Sequence, residues 1–341
     1  MNTTVSMRAT AAIVQVLVLG LVSSCAAPGT AVVTDGSPSV AGSARYAAGD
    51  VRTVRIPGSD VQLSFVYVPG ASYTVGSNDG PENEQPERSV YLDAYWVGQT
   101  ELTDDAWSLF RFPDRDSDST ATDVAYSVDG VSRPSPPYED PAFGLSGKGK
   151  PAVGMTQWGA LHFARWFSTK TGVFTRLPTE AEWEVACRAG GAHDTRPVGG
   201  DGQLSGAAWY RENSNDILHE VATLAPNAWG IHDMAGNAAE WTLDQYQVDA
   251  WAVVDADNPW RKPEKLHPRT VRGGAYDDSA DALACTRRLE SSLAWKRRDP
   301  QIPKSFWWNT DSPFLGFRLI IPDAAPASDS VEAFWQFVLG E

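Results

Sequence analysis

Pro226-Asn-Ala-Trp-Gly-Ile-His-Asp-Met-Ala-Gly-Asn-Ala-Ala-Glu-Trp241 is the stretch around which the rest of the chain is read. It sets Asp233, Gly236, Asn237 and Glu240 at short offsets between two aromatic anchors, Trp229 and Trp241. Closely spaced oxygen donors with small residues between them suit a backbone that curls around a hard cation, since Ca²⁺ takes about six to eight oxygens from carboxylates and carbonyls. The same residues suit a tight glycine turn capped by Asp and Asn between apolar strands. Spacing alone leaves both readings open, because an isolated Asp-x-x-Gly is common.

Composition narrows the classes. At 341 residues with 42% hydrophobic content, the chain has enough apolar surface for a sizeable core. Its 14 tryptophans, 29 glycines and 23 prolines point to a loop-heavy fold rather than a helical bundle. A net charge of −15 argues against nucleic acid as a partner, because phosphate recognition needs a basic face. There are three cysteines, Cys25, Cys187 and Cys285, and no Cys-x-x-Cys pair, so a common structural zinc site is excluded. With Cys25 in the leader, at most one disulfide forms in the body, and Cys187 reads as a small buried core residue.

Residues 1–24 read as a secretory leader, with Arg8 before an apolar run from Ala9 to Val22. The end of that run, Leu21-Val-Ser-Ser-Cys25, resembles a bacterial lipobox, in which the cysteine becomes the lipidated first residue of the mature protein. An ordinary cleaved signal with an incidental cysteine is the alternative. The expected location is thus the bacterial envelope or periplasm, with a lipid anchor rather than a spanning helix as the membrane attachment. Residues 26–60, rich in Ala, Gly, Ser and Pro, read as a flexible linker.

Order is expected to begin at Val61. Val61–Val68, Ser72–Val75 and Ser89–Val97 alternate as strands, and Thr103-Asp-Asp105 opens a helix. Asp114, Asp116 and Asp118 lack the glycine turn and terminal Glu of a calcium loop and read as a solvated loop. Apolar spacing predicts a helix over 156–169 capped by Thr156, with His162 packed in it. Thr179 and Glu182 form a capping box for a second helix, closed by Gly190-Gly191. Thr270–Tyr276 is a strand broken by Gly273-Gly274, and Gly316–Ile321 is a closing strand. In the 323–341 tail, a linker leads to an amphipathic helix bearing Val331, Phe334, Trp335 and Val338 on one face.

Six motifs then occur in a telling order: Arg176-Leu-Pro-Thr-Glu-Ala-Glu-Trp-Glu184, Pro226-Asn-Ala-Trp-Gly230, Asp233-Met-Ala-Gly-Asn237, Glu240-Trp241, Arg272-Gly-Gly274 and Gly316-Phe-Arg318. The series resembles the formylglycine-generating enzyme, or sulfatase-modifying factor, superfamily over residues 61–322. The resemblance implies an α+β, C-type-lectin-like domain low in regular secondary structure. It also implies an activity, the oxidation of a sulfatase cysteine to formylglycine with oxygen and copper, carried by two cysteines. Those positions fall here on Asp278 and Leu283, and the Trp and Ser of the oxygen pocket fall on Ala239 and Ala275. Copper(I) needs soft thiolates, so copper is not expected.

The family's calcium positions carry over to Asp233, Gly236, Ala238 and Glu240, and a second, shortened site to Asn213 and Ser214. The relatives with iron-dependent sulfur chemistry bring three histidines from an added domain, for which this chain's five histidines offer no matching pair. Arg287, Arg288 and Arg318 either line a groove or pair with the many acids. Three functions follow as expectations. The first is a calcium-stabilised lipoprotein module that binds a peptide, protein or glycan without making formylglycine. The second is an enzyme of altered chemistry, with or without a metal held by acids, near Tyr276, Asp277, Asp278 and Arg287, and the third a maturing oxidase in which Cys285 replaces the usual pair.

Overall fold

The alternation in Gln62–Val68 does build a strand, and its inward residues Phe65 and Tyr67 reach one face of a core that Val66 and Val68 leave for another. The computed structural model describes Met1, residues 45–112, Arg115, 133–191 and 203–340. The leader, Cys25 and the Asp114–Asp118 run lie outside the described residues.

In chain order the first elements are β1 (Val51–Arg55), β2 (Gln62–Val68), β3 (Ala71–Val75), β4 (Arg88–Leu92) and β5 (Tyr95–Gly98). Three helices follow, α1 (Asp104–Arg111), α2 (Gln157–Thr171) and α3 (Glu180–Cys187). The second half holds β6 (Ala239–Gln245), α4 (Ala250–Val253), β7 (Arg269–Arg272), β8 (Leu289–Glu290), β9 (Leu315–Gly316), β10 (Ile320–Pro322) and α5 (Ser328–Leu339). They form a sheet of order β1-β2-β5-β10, a hairpin β3-β4 and a sheet of order β8-β7-β6-β9. Among the described residues no helix is long and apolar enough to cross a membrane.

Three boundaries differ from the sequence reading. Order starts before Val61, because β1 pairs in register with β2 (Val51 opposite Val66) and Tyr46 stacks on Tyr67 and Trp96. The alternating run Ser89–Val97 splits at Asp93-Ala94 into β4 and β5, which join different sheets. The closing strand splits likewise: β9 pairs parallel with β6, and β10 pairs antiparallel with β5. Gly316 permits that crossing, since a Cβ there would lie 2.5 Å from the Ala152 carbonyl oxygen.

The helices follow their caps. Thr156 Oγ1 accepts the Gly159 N–H, and Gly172 closes α2 in the left-handed region. Thr179 and Glu182 complete the reciprocal capping box of α3. The tail helix packs on the body through its apolar stripe, with Phe334 and Trp335 edge-on to Phe174 and Trp335 buried in the main aromatic core.

Candidate functional site

Pro226–Trp241 is a turn-rich loop leading into β6. Asn227 anchors it, accepting the Trp229 and Ile231 N–H groups at Oδ1 and donating Nδ2 to the Ala186 and Cys187 carbonyls at the end of α3. Asp233, Gly236 and Asn237 take left-handed φ of 55°, 72° and 53°, and that sharp curl is why small and Asx residues stand there. At Gly236 a Cβ would lie 2.1 Å from the Trp209 carbonyl oxygen, so no other residue fits.

The curl brings three buried carboxylates together. Both oxygens of Glu240 are taken by Arg318, with contacts of 2.6–2.9 Å, and Oε2 also accepts the Trp183 indole N–H at 2.8 Å. Arg318 is completely buried and spends its remaining donors on the carbonyls of Gly98, His232 and Asp233. Asp233 Oδ2 accepts the Ala222 N–H at 2.7 Å, and Glu101 Oε1 accepts the Ala238 N–H at 3.2 Å. The opposite oxygens, Asp233 Oδ1 and Glu101 Oε2, are buried and accept from no other residue, while the two side chains lie close enough to share a proton with each other. Burial first, and then the Asp233 charge, push the Glu101 carboxyl well above the usual range, and burial raises Asp233. Three carboxylates thus share one guanidinium, a charge deficit that a proton or a bound cation fills.

Relative to the expected calcium set, the geometry moves one member. Glu240 is committed to Arg318 and Trp183, while Glu101, not singled out from sequence, contributes the free oxygen beside Asp233. Among the described residues no three His, Cys, Asp or Glu side chains form a ready metal cage, so a cation here would also need backbone carbonyls, such as those of Gly236 and Ala238. The orphaned oxygens and the left-handed curl fit a hard cation. At the second expected site the Asn213 side chain closes its own turn onto Tyr210 and Ala208, and the Ser214 carbonyl lies 2.9 Å from the His219 ring nitrogen Nε2.

A second buried network lies behind α3. Glu180 holds Arg288 at 2.6 and 2.8 Å, and Glu184 holds Arg188 at 2.7 Å and also Arg272. Sequence spacing, which marks this helix by its capping box, does not reveal these pairs. Arg288 and Arg318 therefore pair with acids and line no groove.

Asp244 caps the network, accepting the Glu180 N–H at 2.7 Å and the Arg261 N–H at 2.9 Å. Burial, then the Glu180 charge, push its carboxyl from the ordinary 3.8 up to about 8. Since the folded state binds this proton more tightly, the stabilisation is complete below the unfolded value and is lost as pH rises toward about 8. Asp244→Asn is therefore expected to gain stability relative to the parent chain between about pH 4 and about pH 8, read by urea melts at each pH. Parallel pH profiles for the two chains would contradict this assignment.

The catalytic candidates fare differently. Cys285 is 1% exposed and forms a disulfide with Cys187, so neither sulfur is a free thiolate. This corrects the reading of Cys285 as a reactive replacement and of Cys187 as a lone core residue. Leu283 is fully buried against Ala208 and Ala235, and Ala239 and Ala275 are buried too. Asp278 Oδ2 accepts the Ala275 N–H in a local turn, and the Asp277 carbonyl accepts from Arg211. Arg287 turns to Glu84 at 3.6 Å, so among the described residues it shares no contact with the two aspartates. His162 packs as expected, its ring tilted against Trp158 with centroids 3.9 Å apart and burial pushing its pKa down to about 3.

Fold and site together define a mixed helix-and-sheet domain of the formylglycine-generating-enzyme-like fold, low in regular structure. The chain belongs to the sulfatase-modifying factor family: residues 58–321 match the Sulfatase-modifying factor enzyme 1-like domain. It is 25% identical over 244 residues to the serine/threonine-protein kinase Pkn1 of Chlamydia trachomatis serovar L2, covering 70% of this chain but only 37% of the kinase. It thus spans little more than a third of that relative. The formylglycine-generating enzyme of Bos taurus is 25% identical over 286 residues, covering 70% of this chain and 74% of the enzyme. The solved structure of Treponema denticola variable protein 1 superposes with a TM-score of 0.60 at 23% identity, covering 80% of this chain and 99% of that one, a likeness in fold.

Proposed function

We propose that this protein is an exported, lipid-anchored binding module whose family domain is stabilised by calcium and does not convert cysteine to formylglycine. One observation carries the reading: both cysteines of the body are joined in a single buried bridge, while Asp278 and Leu283 stand where the family's reactive pair is expected. Without a thiolate there is no soft ligand for copper(I) and no sulfur to exchange with a substrate cysteine. The disulfide also supports export, since such bonds persist in oxidising compartments, and Arg8, the apolar run and Cys25 support a lipid anchor. In the acidic loop, Asp233 and Glu101 with the Gly236 and Ala238 carbonyls would hold the calcium, which would supply charge balance to the fold rather than chemistry. The ligand class that suits an acidic, exported module of this fold is a peptide, protein or glycan.

The negative half of the reading is tested by offering the purified protein a Cys-x-Pro-x-Arg peptide with copper and oxygen and following the peptide by mass spectrometry. The peptide is expected to remain an intact thiol or its simple disulfide. Aldehyde formation that depends on Cys285 would overturn the reading.

A further inference from the structure

A cavity of about 330 Å³, lined by none of Asp277, Asp278, Cys285 and Arg287, lies between the start of α2, the segment 263–269 and the end of α5. Its size is that of a small-molecule site. Phe337, Val338, Leu339 and Gly340 form one wall, and they lie beyond the 58–321 family domain. The tail that follows the matched domain thus closes one side of the pocket.

Its lining is cationic in a chain of net charge −15. Lys265, Arg269 and Lys296 face it beside the His267 ring, against one acid, Glu264, which is itself paired with Arg261. Lys296 donates to the Ser305 carbonyl, and Arg269 Nε to the Leu266 carbonyl. Among the described residues neither forms an ion pair with a carboxylate. Burial depresses the Lys296 ammonium to about 8 against the opposing charge of Asp299, and burial, then the Lys296 and Arg269 charges, hold His267 down. Asn309 also lines the cavity, is 1% exposed, and leaves its Nδ2 without a partner. Gln157 and Trp158 open α2 at the same wall, where the first N–H groups of a helix have no intrahelical acceptor and favour an anion. The remaining wall is aromatic, with Trp158, Trp241 and Phe306.

We propose that this cavity binds a small carboxylate with an aromatic or apolar body, the carboxylate held by Asn309, Lys296 and Arg269 and the body lying among Trp158, Trp241 and Phe337. The orphaned Asn309 amide gains an acceptor, the lysine and arginine gain a counter-ion, and the ring stack supplies dispersion and apolar burial. The site stands independently of the calcium reading.

The test titrates the purified full chain with indole-3-acetate, 3-phenylpropionate and 4-phenylbutyrate, each beside its neutral primary amide, by calorimetry and by quenching of tryptophan fluorescence. At least one acid is expected to bind saturably and at least about tenfold more tightly than its amide, because a charge-assisted contact is lost in the amide. Lys296→Met and Asn309→Leu are each expected to weaken the acid by about tenfold while leaving the amide unchanged. Thermal melts establish that both variants are folded, and Arg269→Gln serves if either is not. Equal binding of acid and amide, affinities untouched by these substitutions, or no saturable binding of any acid up to about 20 mM would overturn the proposal.

Discussion

Arg318→Met is expected to lower folding stability by about 3–5 kcal/mol, among the largest effects of any single substitution in the domain. Among the described residues its guanidinium is the one cation in contact with Glu240, and it lies fully buried beside Glu101 and Asp233. Methionine fills similar volume, so the loss is electrostatic rather than a cavity. It leaves Glu240 with the Trp183 N–H alone and removes the donors that bind the Gly98, His232 and Asp233 carbonyls. Removing one partner of a buried pair costs more than removing both, so Arg318→Met with Glu240→Gln is expected to recover part of the loss. Chemical denaturation of the three chains measures this, and a single-variant effect below about 1 kcal/mol would show that water reaches the cluster.

Cys187→Ala, Cys285→Ala and the double variant are all expected to fall by the same amount, roughly 2–5 kcal/mol. The bridge spans 98 residues, and tying so long a loop removes much entropy from the unfolded chain. Equal losses follow because either single change breaks the one bond. Both sulfurs are buried, so in the native protein the bridge is expected to resist reductant that readily opens it in denaturant. Thermal melts with and without reductant read both effects. A Cys285 variant as stable as the parent chain would mean that the bridge does not form.

Local chemistry made some elements readable in advance. The Thr156 cap and the Thr179–Glu182 box declare α2 and α3 in the sequence, because a cap and its partner lie within one turn. The tail helix declares itself by its apolar stripe. What pairs across sheets did not show. β1 follows a Gly- and Ala-rich stretch and is held by β2 and Tyr46, neither of which local composition announces. The splits at Asp93-Ala94 and after Gly316 arise because one extended run serves two sheets, a tertiary choice that alternation does not encode.

The site shows the same division. Asp233, Gly236 and Glu240 stood out by spacing, and the left-handed turn bears out the curl. Glu101 did not stand out, since it comes from the far side of the fold and its only sequence signal is an acid between a strand and a helix cap. Likewise Glu180 and Glu184 lie within α3, and their arginine partners Arg288 and Arg272 arrive from roughly a hundred residues away. The bridge between Cys187 and Cys285 was allowed by the count of cysteines but needed the fold to bring them together.

Calcium tests the account most directly. The purified protein, dialysed against metal-free buffer after equilibration with calcium, is expected to retain about one calcium and no copper per chain by elemental analysis. Chelation is expected to lower the melting temperature, and Glu101→Gln or Asp233→Asn to abolish both the retained metal and the chelator response. Retention of stoichiometric copper, or a melting temperature indifferent to calcium in the parent chain, would contradict the reading of Pro226–Trp241 as a cation-holding scaffold.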